Sequence, residues 1–150
     1  MIISLDESNL TKEFLAEKIY NLANESFATA SPYTKEQFLH SFKYETYLLY
    51  MDKEEILGFL SYTKVLDEAE VVNIAVLNQA KSKGIGKQLL HVLYNELKNE
   101  QAVLLFLEVR ESNEIARVFY EKEGFIKISE RKNYYHSPVE NAIVMQKKLL

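Results

Sequence analysis

The chain has 150 residues, of which 47% are hydrophobic and 12% aromatic, with a formal net charge of −4 and no cysteine. That size and apolar content exclude a disordered or fibrous chain and suit one domain, residues 1–150, with a real core. The acidic balance argues against sequence-independent nucleic-acid binding, and the missing thiols exclude disulfide staples, thiolate zinc sites and a cysteine nucleophile.

No apolar stretch approaches a membrane span, and MIISLDESNL lacks a basic segment ahead of an apolar core. The expectation is a soluble, unexported protein of the cytoplasm that does not act on a membrane. Four glycines and two prolines predict short connections. Residues 1–5 read as a strand. Ser8 is placed to cap a helix over about 9–26, with Leu10, Phe14, Leu15, Ile19, Leu22 and Ala23 on one apolar face. After the loop Ala28–Tyr33, Thr34 to Gln37 carries a capping-box signature for a shorter helix to about residue 43. Strands follow at about 46–51, 56–65 and 69–77 as an antiparallel meander. A third helix spans about 84–100, with Ile85, Leu89, Leu93 and Leu97 at i+4 spacing. Val103–Val109 is almost wholly apolar, as suits a mid-sheet strand covered on both faces. A fourth helix over about 113–122 stops at Gly124, and strands at about 125–135 and 140–148 complete an α/β domain with a mixed sheet.

The chemistry concentrates between Asn73 and Gly124. The β-type run NIAV feeds a turn bearing Lys81, Lys83 and Lys87 together with Gly84 and Gly86, and that turn opens the third helix. Free backbone N–H groups at such an entrance hold pyrophosphates. The pattern is short, however: GxxxxGK[ST] is absent and Leu89 stands where a dinucleotide fingerprint needs a third glycine, so an ordinary tight turn fits as well. Glu108 follows five apolar residues and is expected in a partly desolvated place that makes it a better base. Pairing with a nearby cation such as Arg110 is the alternative. Tyr120 is either a packed core tyrosine or a proton donor to a thiolate, a transfer uphill by only about 2 kcal/mol from ordinary pKa values. Ser112 and Asn113 sit where the fourth helix begins, and a capping Asn113 remains able to touch a cofactor. His40, His91 and His136 show no paired spacing, so no metal site is expected.

Taken together, NIAV with KSKGIGKQLL, LEVRESN, FYEKEGF and RKNYYHSPVENAIVM resemble the GNAT superfamily of acetyl-CoA-dependent N-acetyltransferases. The likeness runs over essentially the whole chain and is strongest from about Glu68 to Met145. It implies a mixed, mostly antiparallel seven-stranded sheet with about four helices, splayed between its fourth and fifth strands, with acetyl-CoA in the cleft. It further implies that Ile74, Ala75 and Val76 line the pantetheine and acetyl end. Ser82, Lys83, Gly84, Ile85, Gly86 and Lys87 would bind the pyrophosphate, and Asn113 would touch the cofactor. Glu108 falls on the family's general base and Tyr120 on its general acid. The implied acceptor is a protein N-terminus, most narrowly the N-terminal alanine of a ribosomal protein, touched by Pro32, Tyr33, Tyr134 and Tyr135. Lys81 and Asn78 depart from the usual phosphate motif, and Tyr33 and Asn141 from the usual acceptor side, which bears on substrate more than on chemistry.

An α-amino group near pKa 7.7–8.0 is roughly 10–15% neutral at pH 7, whereas a lysine near 10.4 is below about 0.1% neutral. One modest base therefore suits a protein N-terminus better than a lysine. Two rivals stay open: a GNAT enzyme for a small amine such as a polyamine or amino-sugar, and a catalytically silent acetyl-CoA-binding module.

Overall fold

The computed structural model describes residues 1–26 and 33–150. Seven strands form one sheet: β1 (Ile2–Ser4), β2 (Thr46–Asp52), β3 (Glu55–Val65), β4 (Glu68–Val76), β5 (Leu104–Arg110), β6 (Ile126–Tyr135) and β7 (Glu140–Lys148). Their order is β1-β2-β3-β4-β5-β7-β6. Four α-helices accompany them, α1 (Lys12–Ser26), α2 (Lys35–Ser41), α3 (Ile85–Asn99) and α4 (Glu114–Lys122). The β4–β5 pairing is parallel, whereas β1–β2, β2–β3, β5–β7 and β6–β7 are antiparallel. The parallel ladder covers only three pairs, from Glu68–Leu104 to Glu70–Phe106, as a splay at this junction requires. No helix among the described residues is long and apolar enough to cross a membrane.

The chain separates into two compact units, one of residues 1–63 with 72–95 and one of residues 64–71 with 96–150. In the first, Leu15, Ala16, Ile19, Leu22 and Ala23 recur at helical spacing and bury the inner stripe of α1. They join Phe38, Tyr47, Leu49, Phe59 and Ala75 in one apolar cluster. The Phe38 ring meets Tyr33 edge-on at 5.0 Å and Phe59 at 6.0 Å, a geometry that aromatic quadrupoles favour. Thr34 caps α2 as expected: its hydroxyl accepts from Gln37 N, and the Gln37 side chain accepts from Thr34 N.

The start of α1 differs from expectation. Ser8 does not cap it; the Ser8 hydroxyl accepts from Leu10 N, after a short 3-10 turn over Leu5–Glu7. Thr11 Oγ1 accepts from Phe14 N, so the helix begins at Lys12 and Phe14 is 40% exposed. A second unforeseen 3-10 turn, Asn78–Ala80, intervenes between β4 and α3.

In the second unit, β5 pairs with β7 along its whole length, from Leu104–Lys148 to Arg110–Ala142. Leu105, Leu107 and Val109 are buried, while the alternating Leu104, Phe106, Glu108 and Arg110 are half-buried. One face is thus closed and the other partly open, rather than both being covered. The edge strand β6 is almost entirely exposed and departs twice from regular pairing with β7. At the second departure Arg131 pairs with Ala142 and Tyr135 with Glu140, which leaves Lys132, Asn133 and Tyr134 opposite Asn141 alone. Asn133 adopts φ +52°, and its N–H donates to Asn141 Oδ1 at 2.9 Å. Bulges of this kind re-aim side chains.

Candidate active site

In the first unit the last three residues of β4 are Ile74, Ala75 and Val76. Val76 O accepts from Ser26 Oγ at 2.6 Å, and Leu77 N donates to Leu57 O at 2.8 Å, which fixes the exit from the strand. The chain then turns through Ser82 at φ +74° and Gly84 at φ +75° before entering α3. Two left-handed residues in three give the turn its tightness. At Gly84 space is open, the nearest atom to a built Cβ being Gln88 Nε2 at 3.9 Å, so backbone conformation is what asks for glycine there. The first intrahelical bond runs from Gln88 N to Gly84 O. The N–H groups of Ile85, Gly86 and Lys87 precede it and have no intrahelical acceptor. Lys81, Ser82, Lys83 and Lys87 are exposed around them. At the head of a 15-residue helix this arrangement fits a pyrophosphate through amides, dipole and lysine charge together.

Gly58 on β3 sets how closely this helix start can approach its strands. A Cβ there would lie 2.9 Å from Ile85 Cγ2 and 3.2 Å from Ala75 O. The same missing side chain thus lets both the end of β4 and the first turn of α3 draw in.

In the second unit Glu108 is 14% exposed, and its Oε1 lies 3.0 Å from Arg131 Nε. The carboxylate is therefore paired, but not with Arg110. Arg110 instead bonds Glu140 Oε2, Pro138 O and His136 O, each at 3.2 Å, and stacks on the Tyr135 ring at 4.5 Å. Those contacts tie the end of β5 to the β6–β7 turn. Glu140 completes the tie by accepting from Ser112 N, which holds its carboxyl below the usual carboxylate range, Arg110 helping.

Two phenols, Tyr134 and Tyr135, lie near Glu108, and a third, Tyr120, lies within electrostatic reach of Tyr135. Burial, then the Glu108 charge and a hydrogen bond to it, push the Tyr134 hydroxyl up. Tyr135 is pushed up to about 12, by burial first and Glu108 second. Tyr120 on α4 is 7% exposed, with its ring against Phe119 and Phe125, and burial followed by Tyr135 drives its pKa well above the ordinary phenol value. A phenol in that state keeps its proton at neutral pH. It is a weaker acid than the ordinary value implies, so a departing thiolate would have to be the stronger base locally for the transfer to proceed.

Two charged residues were not singled out by motif. Arg131 is one; Glu70 on β4 is the other, its carboxyl raised by burial first and by Glu108 second, against a smaller opposing effect of Arg131. Register is the missing signal: Glu70 pairs with Phe106, two residues before Glu108, and nothing in local composition reveals that. Asn113 caps α4, its Oδ1 accepting from Ala116 N at 3.2 Å. Tyr33 is half-buried and its hydroxyl donates to Glu45 Oε2 at 2.9 Å. Pro32, with most of the loop Ala28–Tyr33, lies outside the described residues.

Taken by itself, the helix entrance of the first unit has the free amides, helix dipole and lysine charge that suit an anion, and the second unit by itself holds a largely buried carboxylate and a buried phenol. Residues 16–125 match the family described as acetyltransferase (GNAT) family, and the chain belongs to it: an acyltransferase of the class that takes its acetyl group from acetyl-CoA. More particularly, it is 37% identical over 148 residues, 97% of this chain and 96% of the other, to the [ribosomal protein bS18]-alanine N-acetyltransferase of Haemophilus influenzae. The crystal structure of the ribosomal-protein-S18-alanine N-acetyltransferase from Escherichia coli superposes with a TM-score of 0.84 at 29% identity, covering 99% of this chain and 94% of that one. Ard1 from Thermoplasma volcanium superposes with a TM-score of 0.86 at 25% identity, covering 99% and 98%.

Proposed function

We propose that this chain, as one acetyltransferase domain acting in the cytoplasm, acetylates the α-amino group of a protein N-terminus, most narrowly the N-terminal alanine of a ribosomal protein. The observation that carries the reading is the 37% identity to the Haemophilus influenzae enzyme across nearly the full length of both chains. The partner is then a peptide rather than a nucleic acid or a membrane.

Acetyl-CoA, when bound, supplies an activated acetyl thioester. The amides and lysines of residues 82–87 hold its diphosphate, with Asn113 as a further contact, and the backbone of Ile74, Ala75 and Val76 orients the acetyl end. An N–H near Val76 polarises the carbonyl as oxygen charge develops. Glu108 accepts a proton from the acceptor ammonium and frees the lone pair that forms the new N–C bond. Tyr120 gives its hydroxyl proton to the sulfur as the C–S bond breaks, and the second proton shed by the attacking nitrogen restores the phenol, while Glu108 releases its own to solvent. With no cysteine in the chain, direct transfer in a ternary complex is the route. Tyr134 beside Glu108, with Tyr135, Tyr33 and Pro32, contacts the first residues of the peptide.

A second reading, a small polyamine acceptor, is favoured by one feature: Glu70 and Glu108 place two interacting carboxyls together in the second unit. Turnover of acetyl-CoA with an alanine-started peptide, the same peptide with a blocked N-terminus, spermidine and an amino-sugar separates the two. Transfer to the free peptide alone supports N-terminal acetylation, and transfer to spermidine in preference overturns it.

A further inference from the structure

Glu108 is occupied. A guanidinium nitrogen 3.0 Å from Oε1 takes up one of the two carboxylate oxygens to which an acceptor ammonium could hand a proton. The Arg131 side chain is 58% exposed against 14% for Glu108, so water can solvate the cation once it is released. The Tyr134 ring already lies 5.4 Å from the guanidinium carbon, and the Glu70 carboxyl is within its electrostatic reach, so the guanidinium keeps partners when it leaves Glu108.

We propose that Arg131 is a displaceable counter-ion that gates Glu108, a positioning residue which the protonated acceptor amine must push aside before the carboxylate can take its proton. The inference rests on Glu108 being the base. Among the described residues, the charged and titratable groups seen to interact with Glu108 are Glu70 from β4 and Arg131, Tyr134 and Tyr135 from β6; its register partner on β7, Val144, is apolar. Arg131 is the cation of that set, and it does two things. It keeps the pocket from carrying two uncompensated carboxylates between turnovers, and it competes with the acceptor for one place. Selection follows: a primary ammonium fits the vacated position, whereas a neutral amine arrives with no charge to exchange.

Arg131→Gln, Arg131→Lys and Glu108→Gln in the full-length protein test this with acetyl-CoA and a short alanine-started peptide. Arg131→Gln is expected to lower KM for the peptide by about threefold or more with kcat within about twofold, because a competitor for the ammonium place is gone. Arg131→Lys is expected to keep the wild-type KM, because it restores a cation at the same place. An unmoved KM in Arg131→Gln beside an inactive Glu108→Gln overturns the gate alone. Wild-type turnover in Glu108→Gln overturns the base assignment and the gate with it.

Discussion

At Glu108 a single carboxylate serves an ion pair, a phenol hydrogen bond and the proposed proton transfer, which makes it the residue whose replacement is most informative. Glu108→Gln keeps the shape and removes the basicity. Turnover is expected to fall by about 10²–10⁴-fold, the usual worth of general-base catalysis, with acetyl-CoA affinity unchanged by calorimetry. Tyr120→Phe is expected to lower kcat by about 10²-fold while leaving the thermal midpoint within a degree or so, because the ring packing against Phe119 and Phe125 survives. Since burial raises the Tyr120 pKa, ionisation of this phenol should cause no loss of kcat on the alkaline side up to about pH 10. Both side chains are singled out by the motifs LEVRESN and FYEKEGF, and their roles rest on that resemblance until such variants are measured. The cation against Glu108 is Arg131 and not Arg110, the neighbour two residues along the strand that served as the example of a nearby cation. Glu108 and Arg110 share a strand edge, but Arg110 is drawn off by Glu140 and the carbonyls of His136 and Pro138.

Elements place these side chains, and two junctions do most of that placement. Glu140 links the first residue of β7 to Ser112 at the entrance of α4 and to Arg110 at the end of β5. Its folded pKa is depressed, so its contribution to stability is fully present above the ordinary glutamate value and is lost as pH falls through the folded one. The difference in urea midpoint between wild type and Glu140→Gln is therefore expected to be constant near neutrality and to shrink below about pH 4.3. Gly58 governs the other junction. Gly58→Ala sets a methyl group against Ile85 and the Ala75 carbonyl, and is expected to cost about 1–3 kcal/mol and to weaken acetyl-CoA binding more than Glu108→Gln does. Periodicity and caps made most elements readable: the i+4 leucines of α3, the Thr34–Gln37 box of α2 and the glycine after α4 all stand where they were expected. The entrance of α1 was not, because Ser8 and Thr11 are both competent caps and only the 3-10 turn at Leu5–Glu7 decides between them.

Over the whole molecule, a mixed α/β sheet follows from the segments that the sequence displays and its seven-stranded form from the family resemblance, whereas the strand order and the irregular pairing of β6 with β7 do not, since no local pattern announces spare residues. Acceptor choice belongs to this scale. If a protein N-terminus is the acceptor, a peptide with a blocked α-amino group and one lysine should lose roughly 10²-fold or more in kcat/KM at pH 7, in line with the scarcity of neutral lysine. Product mass analysis reads this directly. The irregularity at Lys132–Tyr134 also carries a consequence for how such an enzyme diversifies. Side chains on a strand alternate in facing, so deleting Lys132 or Asn133 would turn Tyr134 away from Glu108 without altering any amino acid proposed to do chemistry. Strand length here is thereby a dial for partner preference, adjustable by insertion or deletion while the turn ahead of α3 stays untouched.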